Sequence, residues 1–178
     1  LASELKALGF DVRENIAGGY GVSALLKGNH PGPTVALRTD MDALAVQEDT
    51  GLSFASETEG KMHACGHDAH MAILIGTASV LADMKPAIRG NILFICQPAE
   101  ENAPTGGAKA IVAAGLLDGV AAVYGLHVWP ALPTGTVGVR TGPVMAASDH
   151  VVIIIKGQSA HAAMPHKGID ALVAAAQF

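Results

Sequence analysis

Leu1, Leu5 and Leu8 recur at helical spacing and Gly9 closes the pattern, so residues 1–9 are predicted to form a helix. Residues 11–16 and 20–27 read as strands. His30-Pro31-Gly32-Pro33 reads as a turn. Thr34–Arg38 is a strand that runs into Thr39-Asp40-Met41-Asp42, and residues 43–62 form an excursion with turn signals at Asp49-Thr50-Gly51. Met71, Leu74, Ile75, Ala78 and Leu81 fit a 3.6-residue period, which predicts a helix capped by Asp68, running to about Met84 and closed by Pro86 and Gly90. Ile92-Leu93-Phe94-Ile95-Cys96 is a continuous apolar run, the pattern of a central strand covered on both faces. Gly107–Ala114 follows as a helix stopped by Gly115, then strands at Val120–Leu126 and Thr136–Arg140. From Ser148 a further strand is expected over Val151–Ile155, then a loop and an apolar helix over Ala171–Phe178.

The order β-α-β-α-β predicts an α/β domain with a central, mostly parallel sheet and helices on both faces. That domain is placed at residues 1–145, and residues 146–178 begin a second one, entered at Thr141-Gly142-Pro143. The final helix has no stop signal and the first opens mid-pattern, so the chain is expected to be a fragment of a longer protein. With 50% hydrophobic and 15% charged residues, the 178-residue chain builds a core readily. It carries a net charge of −5 without a Lys/Arg cluster, which argues against nucleic acid as partner. No apolar run reaches the roughly 18 residues of a membrane span. The two cysteines, Cys65 and Cys96, make no disulfide framework, and a reduced cytoplasmic setting is expected.

Three apolar runs end in groups able to bind a metal. One ends at Asp40 and Asp42, one at Gln97-Pro98-Ala99-Glu100-Glu101, and the third carries His127. In open α/β sheets, ligands bind beyond the carboxyl ends of strands, so these ends are expected to converge. His63-Ala64-Cys65-Gly66-His67-Asp68-Ala69-His70 holds three His, one Cys and one Asp within eight residues. Thiolate and imidazole are good ligands for zinc and related ions, and Gly66 lets the chain bend so that Cys65 and His67 face one ion. Glu100 and Glu101 are neighbours and point differently, so one is free to bind metal while the other serves as general base; the plainer reading is a solvated acidic turn. Asp40 and Asp42 flank Met41 and share one side of an extended chain. They are read as groups that orient an imidazole, with direct ligation or a turn role as the alternatives. His127 interrupts an apolar strand, where a histidine is commonly a satisfied core residue. Cys96 reads as core. His161, among the small residues of Gly157–His166, is read either as a donor to an oxyanion or as a loop histidine of no special role.

Leu37–Leu44, Met62–His70, Gln97–Glu101, Gly125–His127 and Gly157–Pro165 together resemble the M20 metallopeptidase family. The nearest likeness is its amidohydrolase branch of hippurate hydrolases, N-acyl-amino-acid amidohydrolases and plant auxin-conjugate hydrolases. The resemblance implies a zinc-peptidase-like catalytic domain followed by the start of an α+β lid and dimerisation domain. It implies Cys65, His67, Glu101 and His127 as ligands of two divalent ions, with Cys65 bridging. Manganese or zinc come first, then cobalt or nickel. Glu100 becomes the general base, and His161 of the lid reaches the partner's site in a homodimer to polarise the scissile carbonyl. The substrate class is N-acyl amino acids. The family carries a further metal-ligating histidine beyond the lid, which this chain does not contain, so a catalytically incompetent metal-binding fragment is one alternative. An aminopeptidase or dipeptidase of the same superfamily is another, ranked lower because Cys65 replaces a carboxylate.

Overall fold

The computed structural model describes residues 1–102, 106–147 and 149–178, which divide into two compact units, Leu1–Gly138 and Val139–Phe178. The first unit is a five-stranded sheet with helices on both faces. Its elements are α1 (Ala2–Ala7), β1 (Asp11–Ile16), β2 (Gly21–Lys27), β3 (His30–Asp40), α2 (His67–Met84), β4 (Arg89–Gln97), α3 (Gly106–Ala113) and β5 (Val120–Gly125). The strand order is β1-β2-β4-β3-β5. The α/β class is as the sequence predicts, but the sheet is mixed. β4, β3 and β5 run parallel, whereas β1 pairs antiparallel with β2 and β2 antiparallel with β4. The short β1–β2 link forces a hairpin, because a parallel pair needs a crossover of a dozen or more residues.

Alternation along β4 divides the core. Phe94 and Cys96 face α1 and α2, where they join Leu5, Phe10, Ala24, Leu26, Leu74 and Ala78. Phe10 packs edge-on against Phe94, with ring centroids 5.1 Å apart. Ile95, on the opposite face, packs with Ala36 and with Ile111 of α3. Cys96 is fully buried, and burial pushes its thiol up to about 12, so it is inert core.

Four local expectations are corrected. His30–Pro33 is the start of β3 rather than a turn: His30 pairs with Arg89, and the register shifts before Thr34. Pro31 and Pro33 have no N–H to give a ladder, so the irregularity sits where they do. Gly90, at φ +86°, makes the fit possible, since a Cβ there would lie 1.9 Å from the Pro33 carbonyl oxygen. Asp68 lies inside the first turn of α2, and left-handed Gly66 occupies the cap. Thr136–Arg140 and Val151–Ile155 form no strand. A strand persists only where a neighbour takes its N–H and C=O groups, and no described segment pairs with either run. Val151, Val152, Ile153 and Ile154 stand exposed as a result. The expected strand start at Ser148 lies outside the described residues.

The second unit contains a bridge between Gln158 and Ile169, a 3₁₀ turn at Pro165–Lys167 and α4 (Ala171–Gln177). The Asp170 carboxylate caps α4 by accepting the N–H groups of Leu172 and Val173 at 2.9 and 3.2 Å. No described helix is long and apolar enough to cross a membrane.

Candidate metal centre

The parallel ladder sets the site. Asp40 stands opposite Gln97 in the β3–β4 register and Arg38 stands opposite Gly125 in the β3–β5 register, so all three strands finish at one edge. Just past that edge come Asp42, Glu100 and Glu101, and His127. His67 opens α2 beneath them. His127 does not interrupt β5, which ends at Gly125; it lies on the loop beyond and is exposed.

His67 is 1% exposed. Its Nδ1 lies 2.9 Å from the carbonyl oxygen of Asp42 and 3.4 Å from Asp42 Oδ1. Nδ1 therefore carries the proton and Nε2 presents a lone pair. That Nε2 is buried without a hydrogen-bond partner. Its neighbours are Asp40 Oδ2 at 3.6 Å, Glu101 Oε1 at 3.8 Å and Glu100 Oε2 at 3.9 Å. His127 repeats the arrangement: Nδ1 donates to the Val128 carbonyl at 2.6 Å, and Nε2 points at Cys65 Sγ, 3.4 Å away. Apart from the Cys65 thiol, the atoms gathered here accept and do not donate. Such a set is repulsive by itself and favourable around a cation, so the residues present fit divalent metal. Cys65, His67 and His127 bring one ligand atom each within 4.8 Å of one another, as do His67, Glu100 and Glu101, which makes His67 common to both groups. Atoms of Asp40, His67 and His70 also lie within 4.8 Å of one another. His70 has both nitrogens engaged, however. Nδ1 donates to Asp40 Oδ1 at 2.7 Å, and Nε2 accepts the Val128 N–H at 2.9 Å, which leaves no lone pair for an ion.

The two glutamates differ in setting. The Glu101 N–H donates to Asp42 Oδ2 at 2.9 Å, and its side chain is 28% exposed; the Glu100 side chain is 40% exposed. At Asp40 burial opposes ionisation, yet the His70 hydrogen bond and the Arg38 guanidinium outweigh it, so its carboxyl stays below the ordinary range. Arg38 Nη1 holds Asp40 Oδ2 at 2.8 Å while Arg38 Nε donates to Gln97 Oε1 at 2.8 Å, which fixes the ends of β3 and β4 together. Gly66, at φ +82°, packs so closely on the His127 loop that a Cβ would lie 2.5 Å from Val128 Cγ2. Trp129 sets its ring edge-on to His127, with centroids 6.0 Å apart.

Burial, then the Glu101 hydrogen bond and the charges of Glu101, Glu100 and Asp40, pushes the Cys65 thiol up to about 11. Without a cation, Cys65 is thus a protonated thiol at neutral pH, whereas a metal ligand is a thiolate. Uptake of zinc is expected to release about one proton from Cys65 at pH 7–8. Because that proton competes with the ion at every pH below about 11, affinity rises as pH rises. Calorimetric titration in buffers of different ionisation enthalpy counts the proton; zinc binding without proton release excludes Cys65 as a ligand.

His161 lies in the second unit. Its Nδ1 accepts the Ala163 N–H at 3.1 Å, which puts the ring proton on Nε2. Two residues of the centre, His70 and Arg38, were not singled out from sequence. The signal was there for both: His70 follows His67 by three, on the same helix face, and Arg38 precedes Asp40 by two, on the same strand face.

Residues 36–177 match the family described as Peptidase family M20/M25/M40. Over 158 residues the chain is 50% identical to the N-acetylcysteine deacetylase of Bacillus subtilis (strain 168), a match that covers 89% of this chain and 41% of that protein. It is 44% identical over 178 residues to thermostable carboxypeptidase 1 of Saccharolobus solfataricus, covering 100% of this chain and 45% of that one. A solved Bacillus subtilis structure described as a dinuclear metal-binding peptidase from the M20 family superposes with a TM-score of 0.75 at 45% identity, over 79% of this chain and 39% of that one. The chain spans less than half the length of these relatives.

Proposed function

Because the chain belongs to Peptidase family M20/M25/M40, we propose that the protein hydrolyses the amide bond of N-acyl amino acids at a centre of two divalent ions. Manganese or zinc are the first choices. The observation that carries this reading is the buried, unpartnered lone pair of His67 Nε2, faced by Asp40, Glu100 and Glu101. Cys65, His67, Glu101 and His127 hold the ions in this reading, and Asp42 and Asp40 orient the ligands. When bound, the ions supply Lewis acidity toward the amide carbonyl and acidify a water. Glu100, the more exposed glutamate, takes the proton of the attacking water and passes it to the leaving nitrogen. His161, with its proton on Nε2, donates to the carbonyl oxygen as negative charge develops there. Residues 1–145 act as the catalytic domain, and residues 146–178 open a lid and dimerisation domain through which His161 of one copy serves the other.

The acyl substrate class is supported by the likeness to a deacetylase of N-acetylcysteine. A second reading, cleavage of a peptide bond at a free carboxyl end, is supported by the likeness to a carboxypeptidase along the whole chain. A panel of N-acetyl amino acids, benzoylglycine and unblocked dipeptides separates the two, assayed on the full-length protein after chelation and after manganese or zinc add-back. The expected result is chelator-sensitive release of the amino acid from blocked substrates. Preference for unblocked dipeptides overturns the amidohydrolase reading, and activity indifferent to chelation overturns the metal centre.

A further inference from the structure

We propose that His70 is a positioning residue that sets the His127 imidazole against Cys65 and His67. The inference rests on the metal-centre reading above. β5 ends at Gly125, so the backbone that carries His127 has no ladder to hold it. Among the described residues, His127 Nδ1 bonds only to the neighbouring Val128 carbonyl, a contact that moves with the loop. What hydrogen-bonds the loop backbone to the rest of the centre is the Val128 N–H, which donates to His70 Nε2 at 2.9 Å. That nitrogen accepts because Nδ1 holds the ring's proton, and Nδ1 holds it because it donates to Asp40 Oδ1 at 2.7 Å. Asp40 is in turn fixed by Arg38. The chain of contacts Arg38–Asp40–His70–Val128 therefore runs from the end of β3, through α2, to the loop beyond β5. His70 is 3% exposed, and its ring meets the His127 ring edge-on with centroids 4.7 Å apart, so ring contact adds to the backbone tether. A core histidine serving packing alone needs neither the tautomer nor the tether.

Two substitutions divide the clamp. In H70Q the amide oxygen reaches the position of Nε2 and accepts the Val128 N–H. In H70N the amide reaches the position of Nδ1 and donates to Asp40, but nothing accepts from Val128. Cobalt(II) binding by the full-length protein, followed through the thiolate-to-cobalt absorption of Cys65, is the readout, with the unfolding midpoint measured alongside. H70N is expected to weaken cobalt binding about 10–100-fold, with H70Q falling short of that range, at similar losses of unfolding midpoint. Equal cobalt affinities for the two variants overturn the clamp while wild-type binding leaves the metal centre standing; no cobalt uptake by wild type overturns both. The wild-type protein gives a second readout without any substitution. Nitrogen-15 NMR is expected to find His70 in the Nδ1–H tautomer, coupled across the Val128 N–H···Nε2 hydrogen bond, and a proton on Nε2 overturns the proposal.

Discussion

Glu100→Gln is expected to lower turnover of the full-length protein by about 10²–10⁴-fold and to leave its metal content unchanged. Distance does not distinguish the two glutamates, for Glu100 Oε2 and Glu101 Oε1 lie 3.9 and 3.8 Å from His67 Nε2. Their backbone does. The Glu101 N–H is tied to Asp42, whose carbonyl also accepts a hydrogen bond from His67 Nδ1, so Glu101 and His67 share one anchor. Glu101 also hydrogen-bonds the Cys65 thiol and helps to raise its pKa, which sets its carboxylate beside the sulfur. Glu100 has the more open side chain, which is why the proposed role of general base falls to it. Glutamine keeps the shape and removes only the basic carboxylate, so loss of rate with retained metal isolates the proton-transfer role. Glu101→Gln is the counterpart and is expected to lose metal. If E100Q loses metal as readily as E101Q, the division of labour between the two is wrong.

The parts of this centre that were legible in the sequence are those in which residue type and local period carry the information. The α2 pattern predicts a helix because Leu74 and Ala78 are core positions separated by one turn, and both are buried. The unbroken apolar run of β4 reads as a covered strand because Phe94 and Cys96 fill one core while Ile95 fills the other. The ligand types around Cys65 are dense enough to signal metal without any fold. What the sequence hides depends on partners far along the chain. Val151–Ile155 has every local mark of a strand, but pairing is a property of two segments, and no described residue supplies the second. His30–Pro33 carries turn residues, yet the tight approach of Gly90 to Pro33 turns the same residues into an irregular strand start. His70 is the clearest case, since its role is set by Asp40 and Val128, 30 and 58 positions away.

His67→Ala is the substitution expected to cost the centre most. His67 is shared by all three groups of potential ligands, so its loss removes a donor from each at once. It also removes the ring that links the Asp42 backbone to the carboxylates above it. Loss of metal affinity is expected to exceed the roughly 10–100-fold typical of residues that merely support a ligand. Metal that binds only the folded state stabilises it by about 2.7 kcal/mol when the free ion is at 100 times its dissociation constant. The wild-type protein is therefore expected to unfold several degrees higher with zinc than with chelator. H67A is expected to unfold at nearly the same temperature in both. The difference between the two conditions is the quantity to read, because Ala at a buried position also destabilises the metal-free protein by leaving a cavity, and that cost cancels between chelated and zinc-loaded samples. A zinc-dependent rise in H67A equal to that of wild type means that the ion sits elsewhere, and then the lone pair of His67 Nε2, buried among carboxylates, needs another explanation than a cation.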